Sequence, residues 1–141
     1  MRGPGASKRG VFLRAETTHG HFSYLETIGP SSLHERSHGE AFIDFLSTRS
    51  GISGLWILDE PESALSFSGC LTLIALLRQL QAQGSQIVLS THSPILEALP
   101  GAEVFEVGPW GLRESSYDDL NLAENWRLFL QAPERILRHL D

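Results

Sequence analysis

The segment Leu55-Trp56-Ile57-Leu58-Asp59-Glu60-Pro61 constrains this chain more than any other. Four consecutive apolar residues fit a strand buried on both faces, the environment of parallel sheets covered by helices. The run ends in two adjacent carboxylates and a proline, so the carboxyl end of the strand is polar while its body is not. Gln86-Ile87-Val88-Leu89-Ser90 repeats the buried-strand pattern. Between the two, Phe67 to Gln83 places Leu73, Leu76, Leu77 and Leu80 at helical spacing, with Gly84 as the stop. Strand, helix and strand in that order predict an α/β layered fold with a mostly parallel sheet.

Residues 1–10, rich in glycine with Lys8 and Arg9, offer little to bury and are expected to form a flexible tail. Residues 11–141 then read as one domain, as suits a chain of 141 residues that is 41% apolar and 20% charged. Val11 to Ala15 suits a strand, and Phe22 to Leu25 an amphipathic stretch before a Gly29-Pro30-Ser31-Ser32 loop. Ser37-His38-Gly39-Glu40 has capping-box spacing and starts a helix with Phe42, Phe45 and Leu46 on one face. Ser93-Pro94 caps a short helix over Ile95 to Leu99. Glu103 to Val107 alternates as a strand before a Gly108-Pro109-Trp110-Gly111 turn. Two helices close the chain, one displaying Leu122, Trp126, Phe129 and Leu130, the other starting at Pro133 and displaying Ile136, Leu137 and Leu140.

Several function classes lose support on composition. The net charge is -6 with the basic residues scattered, so charge gives no backing to nucleic-acid binding, and any such contact is local or made through a partner. Cys70 is the single cysteine, which excludes an internal disulfide and suits a reducing cytosol, where it reads as a buried thiol. No apolar stretch approaches the roughly 20 residues that span a bilayer, so a soluble, cytoplasmic protein is expected. His19, His21, His34 and His38 lack the Cys or carboxylate spacing of a metal cluster. No G-x-S-x-G elbow supports a serine hydrolase. Trp110 and Trp126 read as packing residues rather than base-stacking platforms.

Chemistry concentrates at three places. Adjacent carboxylates at the end of a buried strand suit a nucleoside triphosphatase: Asp59 to hold Mg²⁺ through its waters, Glu60 to orient or deprotonate the attacking water. Strand alternation would point the two side chains to opposite faces, and the same residues also suit a plain acidic turn. His92, in Ser90-Thr91-His92-Ser93-Pro94, follows the second buried strand. If the two strands are parallel neighbours it emerges at the same edge, where an imidazole can hydrogen-bond a phosphate oxygen or water. At Ser37 to Glu40, a hydroxyl and exposed backbone N–H groups at a helix start can hold an anion, although an N-cap with its reciprocal glutamate is the commoner meaning of such a tetrad and, taken in isolation, the better reading.

In their order along the chain, Leu33 to Glu40, Leu55 to Ser66 and Ile87 to Pro94 resemble the signature, the Walker B segment with its D-loop, and the switch-histidine loop of ATP-binding-cassette (ABC) ATPases. The likeness is to bacterial predicted ATPases of the AAA/SMC-like branch, which read HEQSHGE, LLDEPEAALS and ATHSPIL where this chain reads HERSHGE, ILDEPESALS and STHSPIL. Asn125 to Leu140 also looks like the closing helices of that family. The resemblance implies a layered P-loop NTPase-like fold of ABC type, with ATP and Mg²⁺ as ligands. Asp59 would be the Mg²⁺-associated carboxylate, Glu60 the catalytic one and His92 the γ-phosphate sensor. Ser37, Gly39 and Glu40 would form the nucleotide-contacting segment, with Ser37 and Gly39 reaching the γ-phosphate bound to a second subunit. Ala64-Leu65-Ser66 would lie along that dimer seam, and Glu16 would sit at the Q-loop position.

The chain departs from the pattern in three ways. His38 replaces the second glycine of the signature, Ser66 replaces the D-loop aspartate, and nothing matches G-x-x-x-x-G-K-(S/T), the Walker A loop that wraps phosphate. The expectation is therefore an N-terminally truncated, C-terminal part of an ABC-type ATPase domain, inactive alone. It would work as a homodimer or with a Walker-A-containing partner chain, either because the gene product is truncated or because another polypeptide supplies the loop. The alternatives are a non-enzymatic remnant or interaction module that keeps the fold, and metal-dependent phosphoesterase chemistry at Asp59, Glu60 and His92.

Overall fold

The apolar run around Trp56 becomes the middle strand of a parallel sheet. In the computed structural model, which describes residues 10–14 and 38–140, β2 (Leu55–Asp59) lies between β1 (Gly10–Arg14) and β3 (Gln86–Ser90) and runs parallel to both. Parallel neighbours need a crossover. Between β2 and β3 it consists of a 3₁₀ turn (Pro61–Ala64) and helix α2 (Phe67–Ala82), while α1 (His38–Thr48) precedes β2. The described residues up to Thr91 form one compact unit and those from His92 onward a second. The first is mixed α/β, as the alternation of strand and helix predicts.

Strand register decides what each face of the sheet carries. Val11, Trp56 and Ile87 form one cross-strand row and Leu13, Leu58 and Leu89 another. On this face Trp56, Leu13 and Leu58 are buried, and Trp56 Nε1 donates to the Ile52 carbonyl at 3.1 Å, so its one polar atom is satisfied. Helix α2 packs on β3 and against α1. It contributes Cys70, Leu73, Leu76, Leu77 and Leu80 to the core, and α1 contributes Phe42 and Leu46. Each fully buried aliphatic or aromatic side chain is worth about 1.5–3 kcal/mol of transfer free energy. The lone cysteine is a buried free thiol, as its helical setting predicts.

The opposite face departs from expectation. Phe12, Ile57 and Val88 share a row there, yet Phe12 is 66% and Val88 50% exposed. The strands read as buried on both faces are buried on the Trp56 face alone, with Phe12 and Val88 on the other left in contact with solvent. Gly10, read as the end of a flexible tail, is instead the first residue of β1, where a Cβ would stand 3.1 Å from the Leu55 carbonyl oxygen. Ala15, Glu16, the Phe22–Leu25 stretch, the Gly29–Ser32 loop, His19, His21, His34 and Ser37 lie outside the described residues.

Helix α2 shows how locally its ends are set. Ser66 is the N-cap, accepting from the Gly69 N–H at 3.1 Å. At the far end Gly84 takes a φ of 84°, with Ser85 N–H donating to Leu80 O and Gly84 N–H to Gln81 O, the Schellman arrangement.

In the second unit, Ser93 caps α3 (Pro94–Glu97) by accepting from Ile95 N–H at 3.3 Å, with Pro94 at the first helical position as expected. An antiparallel hairpin follows, β4 (Val104–Gly108) and β5 (Gly111–Ser115), so the sheets are not all parallel; β5 is an element that the sequence pattern misses. A second 3₁₀ turn (Tyr117–Asp119) leads into α4 (Asn121–Gln131) and α5 (Pro133–Leu137). Leu96, Leu99, Leu120 and Ala123 are buried, and α3 packs on α4. Trp126 and Leu130 of the stripe read on α4 are exposed, as are Ile136, Leu137 and Leu140. Across the hairpin Glu106 pairs with Arg113, and it also accepts from the Asn121 N–H at 3.3 Å. Among the described residues no helix is long and apolar enough to cross a membrane.

Two measurements check this architecture. Gly84→Ala touches nothing, since no atom lies within 4 Å of the added Cβ, yet it is expected to cost about 1–2 kcal/mol from backbone strain alone. Leu73→Ala, by contrast, is expected to cost about 2–5 kcal/mol in urea denaturation. The Arg113 hydrogen bond holds the Glu106 carboxyl below its ordinary range. The ionised carboxylate therefore adds stability at neutral pH, and that contribution disappears as pH falls from the unfolded toward the folded pKa. Arg113→Ala is expected to flatten this acid limb in a pH series of denaturation curves.

Candidate functional site

The carboxyl end of the parallel sheet gathers polar residues because three strands of equal length end in register. Arg14 of β1, Asp59 of β2 and Ser90 of β3 occupy one cross-strand row, on the face that carries Phe12, Ile57 and Val88. Arg14 Nε stands 3.1 Å from Asp59 Oδ2, and Ser90 Oγ donates to Asp59 Oδ1 at 2.7 Å. Both carboxylate oxygens are thus oriented by neighbours. With the side chains 54% (Arg14) and 31% (Asp59) exposed, the ion pair adds only about 0–1 kcal/mol to stability. Its effect is to fix the direction in which Asp59 presents its charge.

Glu60 follows in a different geometry. Its backbone is left-handed, φ 46° and ψ 51°, the sole non-glycine with positive φ among the described residues. Such a conformation costs an L-residue roughly 1–2 kcal/mol, and a residue before proline is ordinarily extended. Bonds on both sides hold it there. The Glu60 N–H donates to the Ser90 carbonyl at 2.9 Å, extending the β2–β3 ladder, while its carbonyl accepts from Ser63 N–H at 3.2 Å and Ser63 Oγ at 3.0 Å. Buried Pro61 then starts the 3₁₀ turn. The expectation that strand alternation separates the two carboxylates is corrected: Glu60 lies beyond the strand, and a left-handed turn sets its course. Over-determined strain of this kind concentrates at functional positions.

Gly39 and Glu40 lie in the first turn of α1. A Cβ on Gly39 would stand 2.8 Å from the Ala64 carbonyl oxygen, so glycine is what lets α1 approach the turn that follows Glu60. An open cleft of about 410 Å³ lies here, lined by Glu40, Asp44, Ser66, Ser68 and Thr72 among others. Ser66, read as a substitute for the D-loop aspartate, has a structural task of its own as the cap of α2.

His92 is exposed and opens the second unit, two residues past the end of β3 and directly before the Ser93 cap. Ser37 and Glu16 fall outside the described residues. The structure therefore brings Asp59 and Glu60 together at one strand end and Gly39 and Glu40 at one helix start. Reading the sequence missed Arg14 and Ser90 as partners of Asp59. The signal was present: each closes an apolar run, as Asp59 does, so strands in register must align all three. Among the described residues no group of three or more His, Cys, Asp or Glu side chains could hold a metal ion.

Parts of the chain are similar to ATP-binding proteins. A stretch of 89 residues is 29% identical to an uncharacterized ABC transporter ATP-binding protein of Haemophilus influenzae, covering 62% of this chain and 34% of that protein. Shorter stretches are similar to the cytochrome c biogenesis ATP-binding export protein CcmA. The identity is 40% over 43 residues in Sodalis glossinidius, covering 30% of this chain and 20% of that protein. In Paramagnetospirillum magneticum it is 37% over 62 residues, covering 44% of this chain and 28% of that protein. The chain thus spans about a fifth to a third of the length of these relatives. No protein-family model matches the chain, and no solved structure does. These partial matches support a relationship to ABC-type ATPases.

The two unusual backbone positions give opposite expectations. Glu60→Gly relieves left-handed strain and is expected to leave stability unchanged or raise it by up to about 1 kcal/mol. Gly39→Ala forces its new methyl against the Ala64 carbonyl and is expected to cost about 1–3 kcal/mol. Urea denaturation of both variants checks the pair; the reverse order would contradict the geometry described.

Proposed function

We propose that this chain forms part of an ATP-hydrolysing head of ABC type, with the phosphate-binding loop supplied by residues outside this sequence, in the same polypeptide or on a partner. The observation that carries the reading is the pair Asp59–Glu60 at the carboxyl end of the central strand of a parallel sheet, the end at which open α/β sheets bind ligands. The order of the three motifs and the partial similarity to ATP-binding subunits support it.

The donor chemistry fits magnesium. Asp59 Oδ1 and Ser90 Oγ are hard oxygen donors 2.7 Å apart at a half-exposed position. One carboxylate beside a hydroxyl suits a cation that keeps several waters and takes the rest of its shell from phosphates. When bound, Mg²⁺ neutralises charge on the transferring phosphoryl group. In this reading Asp59 is the carboxylate on the metal side. Glu60 orients the attacking water and accepts its proton, and its strained backbone serves to aim the carboxylate. His92 donates a hydrogen bond to the γ-phosphate. Ser37, Gly39 and Glu40 face the nucleotide of a second subunit, and the close approach of Gly39 to Ala64 ties that helix to the turn after Glu60.

A second reading, a non-enzymatic module that binds a partner, is favoured by the apolar row Phe12–Ile57–Val88, in which Phe12 and Val88 are exposed. One experiment separates the two. The chain is mixed with a Walker-A-bearing fragment of a related head, and ATP turnover and nucleotide-dependent association are followed. The ATPase reading expects turnover that falls by a factor of about 10²–10⁴ in Glu60→Gln. Calorimetry showing no ATP binding in any such mixture, together with stable self-association of the chain, would decide for the module. Phosphoester cleavage with no need of nucleotide would instead mark a simple metal-dependent hydrolase.

A further inference from the structure

We propose that Arg14 is the resident counter-cation of Asp59, a positioning residue that a divalent cation must displace or repel to reach the carboxylate. The inference rests on the ATPase reading insofar as that reading makes Asp59 the metal-side carboxylate. It adds a residue to which neither the motifs nor the similarities assign a role.

The case begins with register. β1 and β2 are parallel and Arg14 is the partner of Asp59, so the guanidinium is delivered to the carboxylate by backbone hydrogen bonding rather than by a chance surface encounter. Ser90, the partner on the other side, engages Oδ1 at 2.7 Å and leaves Oδ2 to Arg14 Nε at 3.1 Å. The carboxylate is thereby held between a hydroxyl, which can share a cation with it, and a fixed positive charge, which cannot.

A divalent ion at Asp59 would lie on the order of 5 Å from the guanidinium, within one Debye length, where salt screens little. Repulsion between charges of one and two units at that separation, even in a water-like dielectric, amounts to on the order of tenfold in affinity. A strand-end ion pair with no further role would leave cation affinity untouched, and that contrast makes the inference testable.

The probe is Mn²⁺ without nucleotide, titrated into the chain and followed by the electron paramagnetic resonance signal of the free ion. Paramagnetic broadening of the Asp59 and Ser90 amide signals locates the binding. Arg14→Gln and Arg14→Met, the second keeping the aliphatic stem, are expected to bind Mn²⁺ on the order of tenfold more tightly than the natural chain. Arg14→Lys, which keeps the charge, is expected to restore the original affinity, and Asp59→Asn to abolish the site in every background. Circular dichroism confirms folding, which these substitutions should spare because the Arg14 side chain is more than half exposed. Equal Asp59-dependent affinity in Arg14→Gln, Arg14→Met and the natural chain would overturn the inference and leave the proposed function standing. Absence of Asp59-dependent binding in all of them would likewise overturn the inference, while the proposed function, in which phosphates complete the cation's shell, would still be judged by turnover in the mixture with a Walker-A-bearing fragment.

Discussion

The hydrogen-bond register of three short parallel strands is the constraint from which the rest follows. Leu55 pairs with Gly10 on one side and Gln86 on the other, so Arg14, Asp59 and Ser90 must meet at the far end of the strands. A slip of one residue would turn Trp56 and Leu58 out of the core and exchange them for Leu55, Ile57 and Asp59. The buried Trp56 therefore fixes the position of a charged residue three places along the strand. Packing and chemistry are coupled through the two-residue period of the strand rather than through direct contact.

The turn after β2 extends that coupling. Glu60 continues the ladder through its N–H to Ser90, then abandons extended geometry because Pro61 and the Ser63 bonds begin a 3₁₀ turn. The same turn carries Ala64, whose carbonyl Gly39 approaches too closely for any Cβ. Strand end, left-handed glutamate, turn and the start of α1 thus form one continuous mechanical path. A glutamate in that conformation weakens the fold slightly, and the bonds on both sides of it offset that cost.

Much of the path was legible in the residues, and the gaps have physical causes. The strands at Leu55 and Gln86, helix α2 with its Gly84 stop, and the Ser93-Pro94 cap follow from short-range pattern and turn chemistry. Strand β5 did not, because Gly111 to Ser115 holds a single large apolar residue and is a strand only through pairing with β4. One-sided burial of the sheet was equally invisible, since Phe12, Ile57 and Val88 look like core residues and periodicity does not say which face a helix covers. Asp59 and Glu60 stood out as charges at the end of an apolar run. The left-handed backbone of Glu60 did not, because it depends on a carbonyl 30 residues away in sequence, that of Ser90. The packing reason for Gly39 stayed hidden behind its motif, and Ser66 was weighed against a missing aspartate rather than as a cap.

The central claim is that the carboxyl end of β2 is where a cation and the phosphates of ATP meet this chain. The most direct measurement is anomalous diffraction from Mn²⁺ in crystals of the chain with a Walker-A-bearing partner and a non-hydrolysable ATP analogue. The account predicts an anomalous peak within a water's reach of Asp59, with the Glu60 carboxylate facing the terminal phosphate. A bound nucleotide whose metal and phosphates lie away from the Arg14–Asp59–Ser90 row would contradict it.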